Sequence, residues 1–282
     1  MQYPKAAICF VFLLSSLSLW AQKNVIQYDT VSVNAQISFQ FPDTSNNPYL
    51  AELRSLYALD KLVTSNSSDL ETILVVLNWT HNQWKHDGNN QPSKPDALTI
   101  LKEAKEGKNF RCVEYGIVVS RALLALNFKA RVLGLKTKDV ETTQSGAGHV
   151  LAEVWVPSFQ KWALIDGQFN IMPILDGIPL NAVELQEAIS NKKNFKLVDA
   201  NGEVNRRRRA NYLSFIGDYL YYLDVKFDER EVKYQERLKL NDKIAIMLVP
   251  LGAKNPTIFQ KNYSINYAYY TNSLKDFYKK PM

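Results

Sequence analysis

The chain has 282 residues, 34 Lys and Arg against 28 Asp and Glu for a formal net charge of +6, and 12% aromatic residues. That length and apolar content suffice for a sizeable core without disulfide staples. The mild basic excess suits contact with anionic polymers, but no recognition module accompanies it, which argues against nucleic-acid binding.

A basic start at Lys5 precedes an apolar run over residues 6–19, too short to span a bilayer and followed at once by Gln22-Lys23-Asn24. This reads as a removable export signal cleaved after Ala21. The expected organisation is therefore a signal over 1–21, a core over 22–200 and a C-terminal extension over 201–282 packed on it. The mature chain keeps a charge of +5, from 33 basic and 28 acidic residues. It is expected to be periplasmic or secreted, with no transmembrane segment. Cys9 leaves with the signal, so Cys112 is alone in a compartment where disulfides usually form.

Residues 24–41 alternate and are rich in Val, Ile and Phe, which predicts one or two strands before a loop over 42–48. A helix is predicted over 49–63. Ser68 and Glu71 form a capping-box pair. Leu70, Ile73, Leu74 and Leu77 then make the stripe of a second helix running towards Trp84. Residues 87–94 read as a loop, Pro95 as the first turn of the next helix and Gly107 as its end. A further helix runs from Cys112 to about Leu126, with Asn127 as a left-handed cap.

The period then changes from helical to extended. Residues 129–136, 149–156 and 161–166 read as strands, the last two as an antiparallel hairpin around Pro157. Asn181 and Glu184 can cap a helix, 212–223 reads as another, and 243–249 reads as a strand paired with 232–240. The Tyr-rich tail over 263–278 has no decisive period. The whole is expected to be one α+β unit, with no internal repeat. The run Arg206-Arg207-Arg208-Arg209 reads as a solvated loop or helix start.

A thiol nucleophile reacts as thiolate, which a helix N-terminus favours, and needs an imidazole that takes and returns the proton. Cys112 sits at a predicted helix start, and His149 opens a strand after a glycine-containing loop. Asp166 closes the next strand, where a carboxylate can orient the imidazole. His81 and His86 are five residues apart, so they do not share one helical face, and helix-end or surface roles suit them. No metal cluster or cofactor motif is present in the sequence. Arg111 reads as solvated, Glu114 as a first-turn carboxylate, Arg131 as structural, and Trp155 and Trp162 as core.

Three blocks occur in order: Asn109-Phe110-Arg111-Cys112-Val113-Glu114-Tyr115-Gly116 leading to Ala130-Arg131-Val132, then Gly148-His149-Val150-Leu151-Ala152-Glu153-Val154-Trp155-Val156, then Lys161-Trp162-Ala163-Leu164-Ile165-Asp166. Together they resemble the transglutaminase-like superfamily over about 60 residues. Asn127 and Lys129 stand where that family usually has glycine and proline. Val150 and Leu151 replace a small residue and tryptophan, and Gly167-Gln168 replace a proline.

The resemblance implies a papain-like, transglutaminase-like core, with a cysteine-bearing helix packed on an antiparallel sheet. It implies that Cys112 attacks an amide carbonyl to give a thioester, with His149 as acid and base and Asp166 orienting it. The backbone N–H of Cys112 is one natural oxyanion donor. Gln83, Trp84 and Gln91 precede the cysteine, and sequence does not select a second donor among them. Three readings stay open. One is an exported hydrolase of peptide or side-chain amides, one is an amine acyltransferase that crosslinks proteins, and one is a non-catalytic protein- or envelope-binding module. Substrates are peptides or proteins under the first two, and anionic cell-envelope polymers are a further possible contact.

Overall fold

A computed structural model describes residues 25–281, and the expected export signal lies outside them. The helices are α1 (Pro48–Leu56), α2 (Asp69–His81), α3 (Ala97–Lys105), α4 (Cys112–Ala125), α5 (Ala182–Ser190), α6 (Arg206–Ile216) and α7 (Leu274–Phe277). The strands of the central sheet are β1 (Ala130–Lys136), β2 (Gly148–Val156), β3 (Lys161–Ile165), β8 (Tyr222–Lys226), β9 (Ala245–Leu248) and β12 (Ala268–Thr271). Between them in sequence come β4 (Met172–Leu175), β5 (Ile178–Pro179), β6 (Lys196–Asp199), β7 (Gly202–Glu203), β10 (Ile258–Phe259) and β11 (Tyr263–Ser264).

The central sheet has the order β12-β9-β8-β1-β2-β3. Every neighbouring pair in it is antiparallel except β9 and β12, which run parallel. Residues 201–282 thus supply β8, β9 and β12 to the same sheet as the histidine strand. The strands β5-β4-β6-β7 form a second sheet and β10-β11 a short hairpin. The architecture is α+β, with a cysteine-bearing helix on a mainly antiparallel sheet.

Period-two alternation sorts the sheet's faces. Ala152, Val154 and Val156 of β2 meet Val118, Ala122 and Leu123 of α4 in one core. Leu133, Leu151, Leu164 and Val225 point the other way, into a second core with Tyr212 and Ile216 of α6. Gly116 lets α4 sit close on β2. A Cβ there would lie 2.8 Å from the Leu151 carbonyl oxygen and 3.2 Å from Val150 Cγ1. In the second core Arg131 is fully buried, pairs with Glu153 across β1 and β2 at 2.7 Å, and donates to the Phe277 carbonyl at 2.9 Å.

Local signals hold where the cap is in the sequence. Ser68 with Glu71 and Asn181 with Glu184 form the reciprocal caps of α2 and α5. Asn127 takes the left-handed conformation after α4 (φ 70°). Other expectations are corrected. Residues 25–41 form no named strand; they touch the fold by isolated bridges at Asp29 and Gln40. The helix expected over 49–63 breaks at Ala58, which is left-handed, and continues as a 3-10 turn over Leu59–Leu62. Pro95 precedes the α3 cap, which is Asp96. The helix expected over 212–223 begins earlier, capped by Asn205, and ends at Ile216; Tyr222–Lys226 is strand. Residues 232–240 do not pair with β9 as a strand, because β9 lies between β8 and β12.

Candidate active site

Cys112 is the first residue of α4, where the free backbone N–H groups of the helix converge. The Arg111 N–H donates to Glu114 Oε2 at 3.1 Å, and its guanidinium donates to Glu114 Oε1 at 2.7 Å. Glu114 is buried, so the Arg111 charge is committed to it rather than solvated. The thiol itself is partly exposed.

β2 carries His149 opposite Leu135 of β1. Its Nε2 lies 2.9 Å from Asp166 Oδ2, and both side chains are essentially shut off from solvent. The remaining ring nitrogen, Nδ1, is the one left for the Cys112 sulfur, which is within hydrogen-bonding reach of the imidazole. Burial disfavours the imidazolium. The Asp166 charge and hydrogen bond, then the Cys112 sulfur, outweigh burial and push the His149 pKa up to about 9.

Asp166 is held from several sides. Its N–H donates to the Ile171 carbonyl at 2.9 Å and its Oδ1 accepts the Phe169 N–H at 3.1 Å. Arg208 donates to the carbonyls of Phe169 (3.1 Å) and Asn170 (3.3 Å) and pairs with Asp199 at 2.6 Å. Two members of the arginine run, Arg208 and Arg209, therefore brace the structure. Arg209 donates to the Phe195 carbonyl. The His149 ring packs against Phe169, Phe215 and Tyr219, the tightest contact being edge-on with Phe215 at 5.1 Å. The buried Tyr212 phenol sits beside Asp166, and burial, followed by that carboxylate, holds its pKa well above the usual tyrosine range.

The other histidines are nearer the site than their spacing suggested. His81 Nδ1 is 3.2 Å from the carbonyl of Gly167, the residue after Asp166; since a carbonyl only accepts, Nδ1 carries the proton. His86 bridges to Phe110, just upstream of Cys112. Burial, then the neighbouring His149, hold its pKa below the usual value. No local sequence pattern links His86 to residues more than sixty positions downstream, so only the tertiary structure reveals this. Of the three residues weighed as a second oxyanion donor, the Gln83 amide donates to the Trp79 carbonyl and Gln91 is exposed. Trp84 Nε1 is buried and donates to nothing. Trp162 is core, stacked on Phe41.

Cys112 and His149 open on a cleft of about 1090 Å³ that also reaches Lys226 and Arg237. A second recess of about 710 Å³ is lined by His81, Trp84, His86 and Gln168. Among the described residues no group of three His, Cys, Asp or Glu side chains could hold a metal ion, and no helix is long and apolar enough to cross a membrane.

No curated protein matches the chain. A solved structure from Cytophaga hutchinsonii, provisionally described as a cysteine protease, matches at 14% identity with a TM-score of 0.34. The match covers 46% of this chain and 46% of that one, less than half the length of each. A likeness of that size carries no argument about this protein. The model of the transglutaminase-like superfamily matches residues 58–167. That stretch holds Cys112, His149 and Asp166, and it is similar to the same superfamily that the three sequence blocks resemble.

Proposed function

We propose that this protein is an exported cysteine-dependent hydrolase of peptide or side-chain amide bonds, with Cys112 as nucleophile, His149 as acid and base, and Asp166 as the group that orients His149. The observation that carries this reading is the buried 2.9 Å contact from His149 Nε2 to Asp166, with the Cys112 sulfur against the same imidazole at the start of α4.

The Cys112 thiolate attacks the amide carbonyl carbon and forms a C–S bond. The tetrahedral oxyanion is met by the Cys112 backbone N–H, whose dipole is aimed before reaction. As the C–N bond breaks, the proton held by His149 at Nδ1 passes to the leaving amine and a thioester remains. Water then loses a proton to Nδ1 and forms a C–O bond, and the C–S bond breaks to give a carboxylate and free Cys112. Throughout, Asp166 keeps the Nε2 proton in place, which leaves Nδ1 facing the reacting atoms.

Incubation with a pool of synthetic peptides bearing Gln, Asn and ordinary backbone amides, in ¹⁸O-water with and without added putrescine, tests this. New carboxylates carrying ¹⁸O, absent with Cys112→Ala, are the expected result. Putrescine adducts replacing those carboxylates would instead make the protein an amine acyltransferase, and products surviving Cys112→Ala would refute the nucleophile.

A further inference from the structure

The cleft beside Cys112 is apolar along its middle, where Ile117, Val132 and Val150 line it, and cationic at its far end. The carboxylates at that end are already engaged. Asp224 accepts the Lys136 ammonium at 2.6 Å and the Tyr267 hydroxyl at 2.7 Å. Glu229 and Glu231 both pair with Arg121, at 3.0 and 2.6 Å, and Asp228 pairs with Arg230 at 2.8 Å. Among the described residues three lining cations are left over: Lys94, which is exposed, and the pair Lys226 and Arg237. Lys226 projects from the α4-side face of β8, opposite Ala245, and no described residue accepts from it. Arg237 lines the same space, and its Nε is shut off from solvent with no acceptor.

A buried guanidinium donor without an acceptor is unfavourable, and its best-matched partner is a planar anion such as a carboxylate. The two cations are close enough to feel one another. Partial desolvation holds the Lys226 pKa below the usual lysine range although its side chain is largely exposed; Glu229 and Asp224 oppose that fall, and Arg121 and Arg237 add to it. An anion placed between them relieves that repulsion.

The register fixes the distance. His149 pairs with Leu135, Leu135 pairs with Leu223, and Lys226 is three residues further along β8. Two strand spacings of about 4.8 Å and three residues of about 3.3 Å separate the His149 and Lys226 backbones by about 14 Å. The attacked carbonyl meets the Cys112 sulfur at the α4 end of the cleft and the Lys226 side chain reaches back along it, so the gap between the carbonyl and an anion is on the order of 10 Å, or about three extended residues.

We propose that Lys226 and Arg237 form a carboxylate-binding subsite of the cleft, so that the protein's substrates are short peptide-like chains carrying a carboxylate about three residues from the amide attacked by Cys112. This rests on reading Cys112 as the nucleophile of the cleft. The carboxylate is either a free C-terminus or an acidic side chain.

Affinity-directed alkylation of the whole protein separates these possibilities. The probes are bromoacetyl-Gly-Gly-Gly as free acid, the same peptide as its C-terminal amide, and bromoacetyl-Gly-Gly-Asp amide, each followed by intact mass at pH 8. At least one acid should label Cys112 about tenfold faster than the triglycine amide; whichever acid is faster identifies the terminal or side-chain source. Lys226→Gln and Arg237→Gln should each lower that preference, and the double variant should abolish it, with iodoacetamide labelling unchanged. Equal rates for all three probes, or a preference that survives the double variant, would overturn the subsite. An ordinary thiol is also labelled at this pH, so the ratio reads the cation pair even if Cys112 lacks activation. A failure of the nucleophile reading shows separately, as iodoacetamide labelling insensitive to His149→Ala.

Discussion

Replacing Asp166 by Asn should change how stability depends on pH, because the carboxylate is the largest influence raising the His149 pKa against burial. The imidazole titrates near 6.5 in the unfolded chain and near 9 when folded. A folded value above the unfolded one adds stability that is fully present below about pH 6.5 and is lost as pH rises through about 9. Linkage over that interval gives about 3 kcal/mol at pH 5.5, about 2 at pH 7.5 and less than about 1 at pH 9. Both groups are almost fully buried, so solvent screening takes little from these figures. In Asp166→Asn only burial and the sulfur act on the imidazole, so its contribution at low pH should vanish or reverse. Urea denaturation of both proteins at the three pH values measures the gap between them. The gap should be widest at pH 5.5 and shrink towards pH 9; a gap constant across the range would refute the electrostatic role assigned to Asp166.

Three further outcomes follow from the packing. Gly116→Ala places a methyl group 2.8 Å from a backbone oxygen of β2, so α4 must shift; a loss of about 1–3 kcal/mol by urea denaturation is expected, and no loss would mean that the helix is not seated so closely. Arg131→Met strands the buried Glu153 carboxylate and should cost about 3–5 kcal/mol, with much of it recovered by adding Glu153→Leu. Recovery that fails would locate the cost in the ring contacts around Arg131 or in the Ala182 N–H and Tyr278 hydroxyl that Glu153 also accepts from. Chelators should leave any amidase activity unchanged, and reproducible inhibition restored by a divalent ion would contradict a metal-free thiol mechanism.

The parts of the fold legible in sequence are those specified locally. Capping boxes at Ser68 and Asn181, the left-handed Asn127 and the turn from helical to period-two spacing after residue 127 each leave a short-range mark. The failures share a cause. Alternation in residues 25–41 specifies burial of Tyr28, Ile37 and Phe39 in the second core, yet it says nothing about whether the backbone finds a ladder partner. Likewise 232–240 lost the pairing with β9 to β8 and β12, a choice set by tertiary contacts rather than propensity. The aromatic run at 219–222 suits helix or strand, and Asn205 at the true helix start was the better signal.

At the candidate site, the three blocks placed Cys112, His149 and Asp166 in one line of argument, and the structure brings all three side chains together. What sequence did not disclose is the surround. His81 holds Gly167, Arg208 braces the turn after Asp166, and Phe215 and Tyr219 enclose the imidazole from a helix and loop about seventy residues away. Each of these is a single side chain of unremarkable type, made relevant only by the tertiary packing that brings α2, α6 and the segment after α6 against the site.

The most direct measurement is the rate of Cys112 alkylation by iodoacetamide from pH 5 to pH 10, read by intact mass, in the parent protein and in His149→Ala. With an imidazolium persisting towards pH 9 beside the sulfur, the parent should be labelled quickly at pH 6–7, where an ordinary thiol, with a pKa of about 8.5, reacts slowly. His149→Ala should lose that low-pH reactivity and approach the parent only above about pH 8.5. Parent and variant profiles that coincide, or a thiol that resists labelling throughout, would contradict Cys112 and His149 as a nucleophile and its base.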